Sequence, residues 1–204
     1  MNRREMLKIA GAGTAAVALG QAPAFAAPAA SEGKLNAVWT HGTAFQAEDP
    51  GALESTQRFG WGTQFFIRPG VATWFHVALT TPVIIDDARP KLEKVFVFYK
   101  AVGVTIRELH VYDGLGRVRA FEGFSHEGDH SGGLDKLNTW VIDPGLTIRY
   151  GLGLSVGVQA SIGFDSVIKC GLLFTTAGAD FRQFPPVNKL AGEVNAKVNP
   201  PIGK

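Results

Sequence analysis

From Asn36 onward, apolar residues recur at every second position in short runs, and Gly, Pro or Asp cuts the runs apart. A two-residue period puts alternate side chains on opposite faces of a pleated strand. Residues 37–41 open the series. Residues 59–65 alternate aromatic with small or polar side chains, and 74–79 follow, closed by Thr81-Pro82. Proline cannot donate to an interior ladder, so a strand edge or a break is expected at Pro82. Residues 94–100 and 105–112 flank Val102-Gly103 and read as a hairpin with a short glycine-containing turn. A short strand over 118–121, a polar Gly-rich loop over 125–133 and a strand over 139–142 come next. Asp143-Pro144-Gly145 reads as a turn, and strands over 146–150, 152–160 and 167–175 complete the set. No amphipathic helix of normal length separates them. The pattern predicts an all-β fold, an antiparallel, jelly-roll-like β-sandwich of about 8–10 strands, with a closed barrel as the next alternative. From Gln183 the chain turns rich in Pro, Asn, Lys and Ala, which predicts an extended tail with a brief helix near 189–196.

Composition supports a folded core: 46% of residues are hydrophobic and 19% charged, and 10% aromatics with 25 glycines form a mixture that favours strands and tight turns. The N-terminus belongs to processing rather than to the fold. Arg3 and Arg4 precede an apolar run over 6–19, and Ala24-Phe25-Ala26 offers an A-x-A cleavage site. The run is shorter than the roughly 20 residues a bilayer span needs. Asn2-Arg3-Arg4-Glu5-Met6-Leu7-Lys8 resembles the twin-arginine export signal, with Asn2 and Met6 where that signal often has Ser or Thr and Phe. The resemblance implies a protein exported already folded, through the twin-arginine machinery, to the periplasm or beyond. The expected organisation is a signal peptide over 1–26, a linker over 27–35, a β-sandwich domain over 36–182 and a tail over 183–204.

Cleavage after Ala26 removes Arg3, Arg4, Lys8 and Glu5, which takes the formal charge of +2 to near zero. A neutral chain offers no electrostatic reason for a nucleic-acid partner. The single cysteine, Cys170, cannot form an internal disulfide and sits in an apolar run, where it reads as a small buried hydrophobe.

The segments Trp39-Thr40-His41-Gly42-Thr43, Phe59-Gly60-Trp61-Gly62-Thr63, Trp74-Phe75-His76, Gly128-Asp129-His130-Ser131 and Thr176-Ala177-Gly178-Ala179-Asp180-Phe181 together resemble an uncharacterised bacterial family of small β-rich domains of unknown function. The resemblance spans about 38–181. It implies a β-rich fold and brings no activity and no site residues.

Candidate chemistry therefore comes from the residues alone. His126, Asp129 and His130 place two imidazoles and a carboxylate on one loop, a donor set for a divalent metal, and Asp135 would extend it toward calcium. That metal is the one cofactor the sequence suggests. The competing reading is a solvated loop whose polar side chains cap local backbone. His41, His76 and His110 lie in strand-like runs, where a half-buried, hydrogen-bonded histidine is the plainer reading. Gly153-Leu154-Ser155-Val156-Gly157 matches G-x-S-x-G, but it lies inside a strand rather than at a strand-to-helix turn. A hydrolase elbow is therefore rejected, and Gly151, Gly153 and Gly157 are expected to admit a neighbouring ring or backbone. Among the aromatics, Trp61, Trp74, Tyr112 and Trp140 are the candidate ligand-binding platform, with Trp61 favoured by its glycine neighbours.

Three functions are compatible with this reading. The favoured one is an exported, non-catalytic binding or interaction module for glycan or cell-envelope ligands. The alternatives are a metal-binding protein or metal-dependent enzyme using the 126–130 loop, and a structural protein that self-associates.

Overall fold

The computed structural model describes residues 33–162 and 169–184. The signal peptide, most of the linker and the tail beyond Phe184, with its expected helix, lie outside them, and Gln183, expected to open the tail, ends a strand instead. Eleven strands run through these residues: β1 Lys34–His41, β2 Gln46–Ala47, β3 Leu53–Phe59, β4 Gly62–Ile67, β5 Ala72–Leu79, β6 Lys91–Asp113, β7 Gly116–Phe121, β8 His126–His130, β9 Thr139–Thr147, β10 Leu152–Ala160 and β11 Cys170–Gln183. All pairings are antiparallel, and the ladders form one connected network in the order β2-β5-β10-β6-β11-β4-β3.

β6 makes this a sandwich rather than a flat sheet. Its first part, from Lys91 to Val102, pairs with β11, and its second, from Val104 to Asp113, pairs with β10. The change of partner falls at Gly103, which has φ +62°, a backbone conformation glycine adopts without the Cβ clash other residues meet. The expected hairpin at Val102-Gly103 is thus one long strand bent at a glycine. One half of the network, β2-β5-β10-β6-β7, folds over the other, in which β11 pairs with β1, β4 and β6. The result is an antiparallel β-sandwich of jelly-roll type.

Three further local expectations are corrected. Residues 59–65 are not one strand: β3 ends at Phe59, the chain turns at Gly60-Trp61, and β4 begins at Gly62. A Cβ on Gly62 would lie 2.2 Å from the Phe174 carbonyl oxygen, so only glycine lets the turn approach β11 this closely. The Gly-rich loop over 125–133 contains β8, an edge strand paired with β6. Asp143-Pro144, a cis peptide, lies inside β9 rather than ending it. Among the described residues β9 pairs only with β6 and slips register there, so Pro144 costs no ladder bond on a second side.

The core lies between the two halves. Phe65 of β4 and Phe174 of β11 meet Phe75 of β5 at centroid distances of 4.6 and 5.5 Å, and Phe45 stacks on Phe174 at 3.9 Å. Along β10, Leu152, Leu154, Val156, Val158 and Ala160 point into this core, so Gly153, Ser155, Gly157 and Gln159 line the outer face. Cys170 is buried in the same core. At the end of the sandwich the buried Asp113 carboxylate accepts three backbone N–H bonds, from Arg149 (2.9 Å), Tyr150 (2.8 Å) and Gly151 (3.2 Å), and so holds the β9–β10 connection closed.

Candidate functional site

Three strands set out the site as rows across the outer face of β5, β10 and β6. Register places Trp74, Gly157 and Glu108 in one row; His76, Ser155 and His110 in the next; and Ala78, Gly153 and Tyr112 in the third. The floor is Gly-Ser-Gly, so the larger side chains of β5 and β6 rise on either side of it. Into this depression falls the Trp74 indole. A Cβ on Gly157 would meet its benzo ring at 2.9–3.1 Å, so the glycine makes room for the ring. The ring centroid of Trp74 lies 4.7 Å from that of His110, which lies 6.4 Å from that of Tyr112. Three rings thus run diagonally across the face.

Beside Trp74 is a cavity of about 210 Å³ whose polar walls are Arg107, Glu108 and Gln159. A second, of about 320 Å³, lies on the other side of Arg107 and Glu108 and is closed by Gly123, Phe124 and Ser125. The concave surface therefore crosses the strands, with a charged pair in the middle and an aromatic ring at each end. A guanidinium donor beside a carboxylate acceptor matches adjacent hydroxyl groups, and the ring faces offer apolar contact.

The face also carries two polar networks. His76 bridges Ser155 Oγ (2.8 Å from Nδ1) and Glu48 Oε2 (3.0 Å from Nε2). This resembles a nucleophile relay in its partners alone, since Ser155 is buried on a continuous strand with no turn to present it. His110 Nε2 lies 3.1 Å from Glu122 and 3.4 Å from Glu108. Among the described residues, these three form the only group of three or more His, Cys, Asp or Glu whose ligand atoms lie within 4.8 Å of one another. Arg117 Nη1 stands 3.4 Å from His110 Nε2 and 3.6 Å from Glu122, so a guanidinium already supplies positive charge there.

The 126–130 segment is arranged differently. His130 has both ring nitrogens engaged, Nδ1 with Asp135 at 2.7 Å and Nε2 with the Glu127 carbonyl at 2.9 Å. Asp135 in turn accepts from the Leu137 and Asn138 N–H groups, and Asn138 donates to the His130 and Gly133 carbonyls. These bonds fix the loop. Burial lowers the His130 pKa, but hydrogen bonds to Asp135 and Glu127 with the nearby carboxylate charges outweigh it, and the net shift is upward. His126 instead packs between Phe124 and Trp140, and burial pushes its pKa down. Asp129 is held to about 2 by hydrogen bonds from Ser131 and Lys100. The structure does not bring His126, Asp129 and His130 together as one donor set.

Of the four aromatic candidates, Trp74 and Tyr112 share the face described. Trp61 is 55% exposed at the β3–β4 turn, stacked on Phe59 at 4.3 Å. Trp140 is 6% exposed and part of the core, so it offers no face to a ligand. Arg107, Glu108 and Gln159 were not singled out by the sequence. Arg107 and Glu108 are neighbours in sequence, but only the pairing of β6 and β5 with β10 brings them beside Gln159 and Trp74.

The sequence profile of a family of unknown function, DUF6623, matches residues 34–176. The chain belongs to the DUF6623 family. Residues 1–20 match the twin-arginine pathway signal sequence, so this DUF6623 domain is exported from the cytoplasm. No curated protein matches it. Solved structures similar to it include two that follow. One is TmCBM61 in complex with β-1,4-galactotriose (15% identity, 71% of this chain and 88% of that one, TM-score 0.39). The other is the xylan-binding module CBM15 (9% identity, 75% and 99%, TM-score 0.39). Among the described residues, no helix of the DUF6623 domain is long and apolar enough to cross a membrane.

Proposed function

We propose that the exported domain is a non-catalytic module that binds a glycan of the cell envelope or its surroundings across the outer face of β5, β10 and β6. One observation carries the reading: the Trp74 ring is seated over Gly157 and borders a cavity whose polar walls are Arg107, Glu108 and Gln159. Apolar ring faces of a pyranose suit the indole, and its ring hydroxyls need donors and acceptors side by side. Substrate-bond chemistry is not required of the site. Ser155 is covered, and Arg117 already supplies a positive charge at the His110 cluster. We place the domain in the periplasm or outside the cell, behind a signal peptide cleaved after Ala26.

The test is retention of the mature protein on insoluble cellulose, chitin, xylan, galactan and peptidoglycan, comparing wild type with Trp74→Ala and Glu108→Gln. Wild type is expected to be retained by at least one polymer. Trp74→Ala should weaken retention about tenfold, which corresponds to about 1.4 kcal/mol. Folded wild-type protein that binds none of the five, or a Trp74→Ala variant that binds like wild type, would sink the reading.

A further inference from the structure

The opposite outer face repeats the same device. On β1, β11, β6 and β9, register lines up Trp39, Gly178, Phe96 and Thr139 in one row and Ala37, Asp180, Lys94 and Val141 in the next. Trp39 lies over Gly178 as Trp74 lies over Gly157. A Cβ on Gly178 would fall 2.3–2.7 Å from the indole. The Trp39 ring stacks on Phe96 at 5.2 Å and 18°, with Phe98 edge-on at 5.6 Å, and the residue remains 46% exposed. Phe96 continues into a cavity of about 440 Å³, walled also by Lys94, Thr139, Val141 and Asp180. That volume falls in the range of small-molecule sites, roughly 300–1,000 Å³.

Asp180 makes this more than an apolar patch. Its carboxylate is half-buried and has no protein hydrogen-bond or ion-pair partner among the described residues. Lys94, one strand away in the same row, has none either. Burial raises the Asp180 pKa against the opposing charge of Lys94. An acceptor and a donor left open beside an exposed indole lack what a sugar ring supplies, hydroxyl groups on an apolar face. The cavity carries Lys94 and Lys136 against Asp135 and Asp180, so its charge is balanced and favours a neutral glycan over a polyanion.

We propose that this face is a second glycan-binding site, which makes the domain bivalent, one site on each outer surface of the sandwich. The proposal rests on the glycan reading of the Trp74 face. It is tested on the same five polymers, together with calorimetric stoichiometry using a soluble tetrasaccharide of the polymer retained best. The variants are Trp39→Ala, Asp180→Asn and Trp74→Ala, and the Trp39→Ala, Trp74→Ala double variant, each first checked by circular dichroism. Asp180→Asn leaves the platform and the strand ladder intact. Two tetrasaccharides per wild-type chain are expected, and one for each single Trp variant. Retention on polymer should fall about tenfold in each single Trp variant and vanish in the double one, and Asp180→Asn should weaken the second site several-fold. One tetrasaccharide per wild-type chain, with Trp39→Ala and Asp180→Asn unchanged, would overturn the second site and leave the first standing. Loss confined to the Trp39 and Asp180 variants would keep this site and remove the one on the Trp74 face. A wild-type dimer in sedimentation that Trp39→Ala dissociates would overturn it in favour of self-association, and absence of all binding would overturn both.

Discussion

Replacing Gly178 by alanine adds one methyl group where the Trp39 indole already lies. The new Cβ would stand 2.3 Å from Cε3, 2.6 Å from Cζ3 and 2.7 Å from Cδ2, against an ordinary carbon–carbon contact of about 3.5–4.0 Å. β11 is paired on both sides here, with β1 and β6, so the strand cannot shift without loss of ladder bonds. The ring must leave. A tryptophan buries up to about 250 Å², and Trp39 keeps roughly half of its surface covered. Losing that half at about 25 cal/mol per Å² costs about 3 kcal/mol, and the stack on Phe96 adds about 1 kcal/mol. Alanine in a strand regains about 0.5–1 kcal/mol over glycine. The net expectation is a loss of about 3 kcal/mol. Gly157→Ala, with closest approaches of 2.9–3.1 Å to Trp74, should cost less. Gly151→Ala, with nothing within 4 Å, should be neutral or slightly stabilising. Urea unfolding measures the three differences. Fluorotryptophan NMR, with one signal for each of the four indoles, reports whether Trp39 moves. A Gly178→Ala protein as stable as wild type, with the Trp39 signal in place, would refute the packing described.

Asp113→Asn should lose about 2 kcal/mol, because one of the oxygens accepting the 149–151 backbone bonds becomes an amide donor. Burial alone would raise the Asp113 pKa, but the three N–H bonds outweigh it and lower it. Its stabilisation is therefore present above the ordinary carboxylate value of 3.8 and lost as pH falls through the folded value, and the gap between wild type and variant in urea unfolding should close in acid. In NMR titration, His126 should titrate below 6.5 and His130 above it. The His130–Asp135 contact then contributes stability below pH 6.5 that fades as pH rises through the folded His130 value, and the reverse order of the two titrations would contradict the loop geometry. Zinc titration of wild type should show no stoichiometric uptake, whereas Arg117→Met, which leaves Glu108, His110 and Glu122 one cation short, should take up one ion. Uptake by wild type that His110→Ala abolishes would instead establish a metal site.

Much of the sandwich was legible because its strands are buried on one face only. Phe75 and Val77 against Trp74 and His76 is a plain alternation, and it survives into the structure as core side against outer side. The close-approach reading of Gly151, Gly153 and Gly157 held at Gly157, which Trp74 covers, and failed at Gly151, where a Cβ would meet nothing within 4 Å. Local signals failed where one residue type serves two geometries. A glycine with positive φ can close a hairpin or bend a strand, and Gly103 bends one. β3, Leu-Glu-Ser-Thr-Gln-Arg-Phe, pairs with β4 and has little apolar periodicity to announce it.

The binding faces were less legible for a reason that lies in the pairing. Alternation separates the two sides of a strand, but it does not say which side a given tryptophan takes. Trp140 and Trp74 sit in similar runs, yet Trp140 points into the core beside Phe124 while Trp74 points out over Gly157. What distinguishes them is the residue opposite on the next strand. Across from Trp140 stands Val95, a core side chain, and across from Trp74 stands a glycine. Trp39 follows the same rule with Gly178. A large ring on an outer face needs a neighbour with no side chain to lie down upon, whereas a large ring in the core needs neighbours that fill the space around it. The signal is therefore a pair, tryptophan and glycine on adjacent strands far apart in sequence, and it becomes readable only once register is known. Glu108 and Asp180 reach their rings through the same registers, which is why the polar half of each face stayed hidden along with the aromatic half.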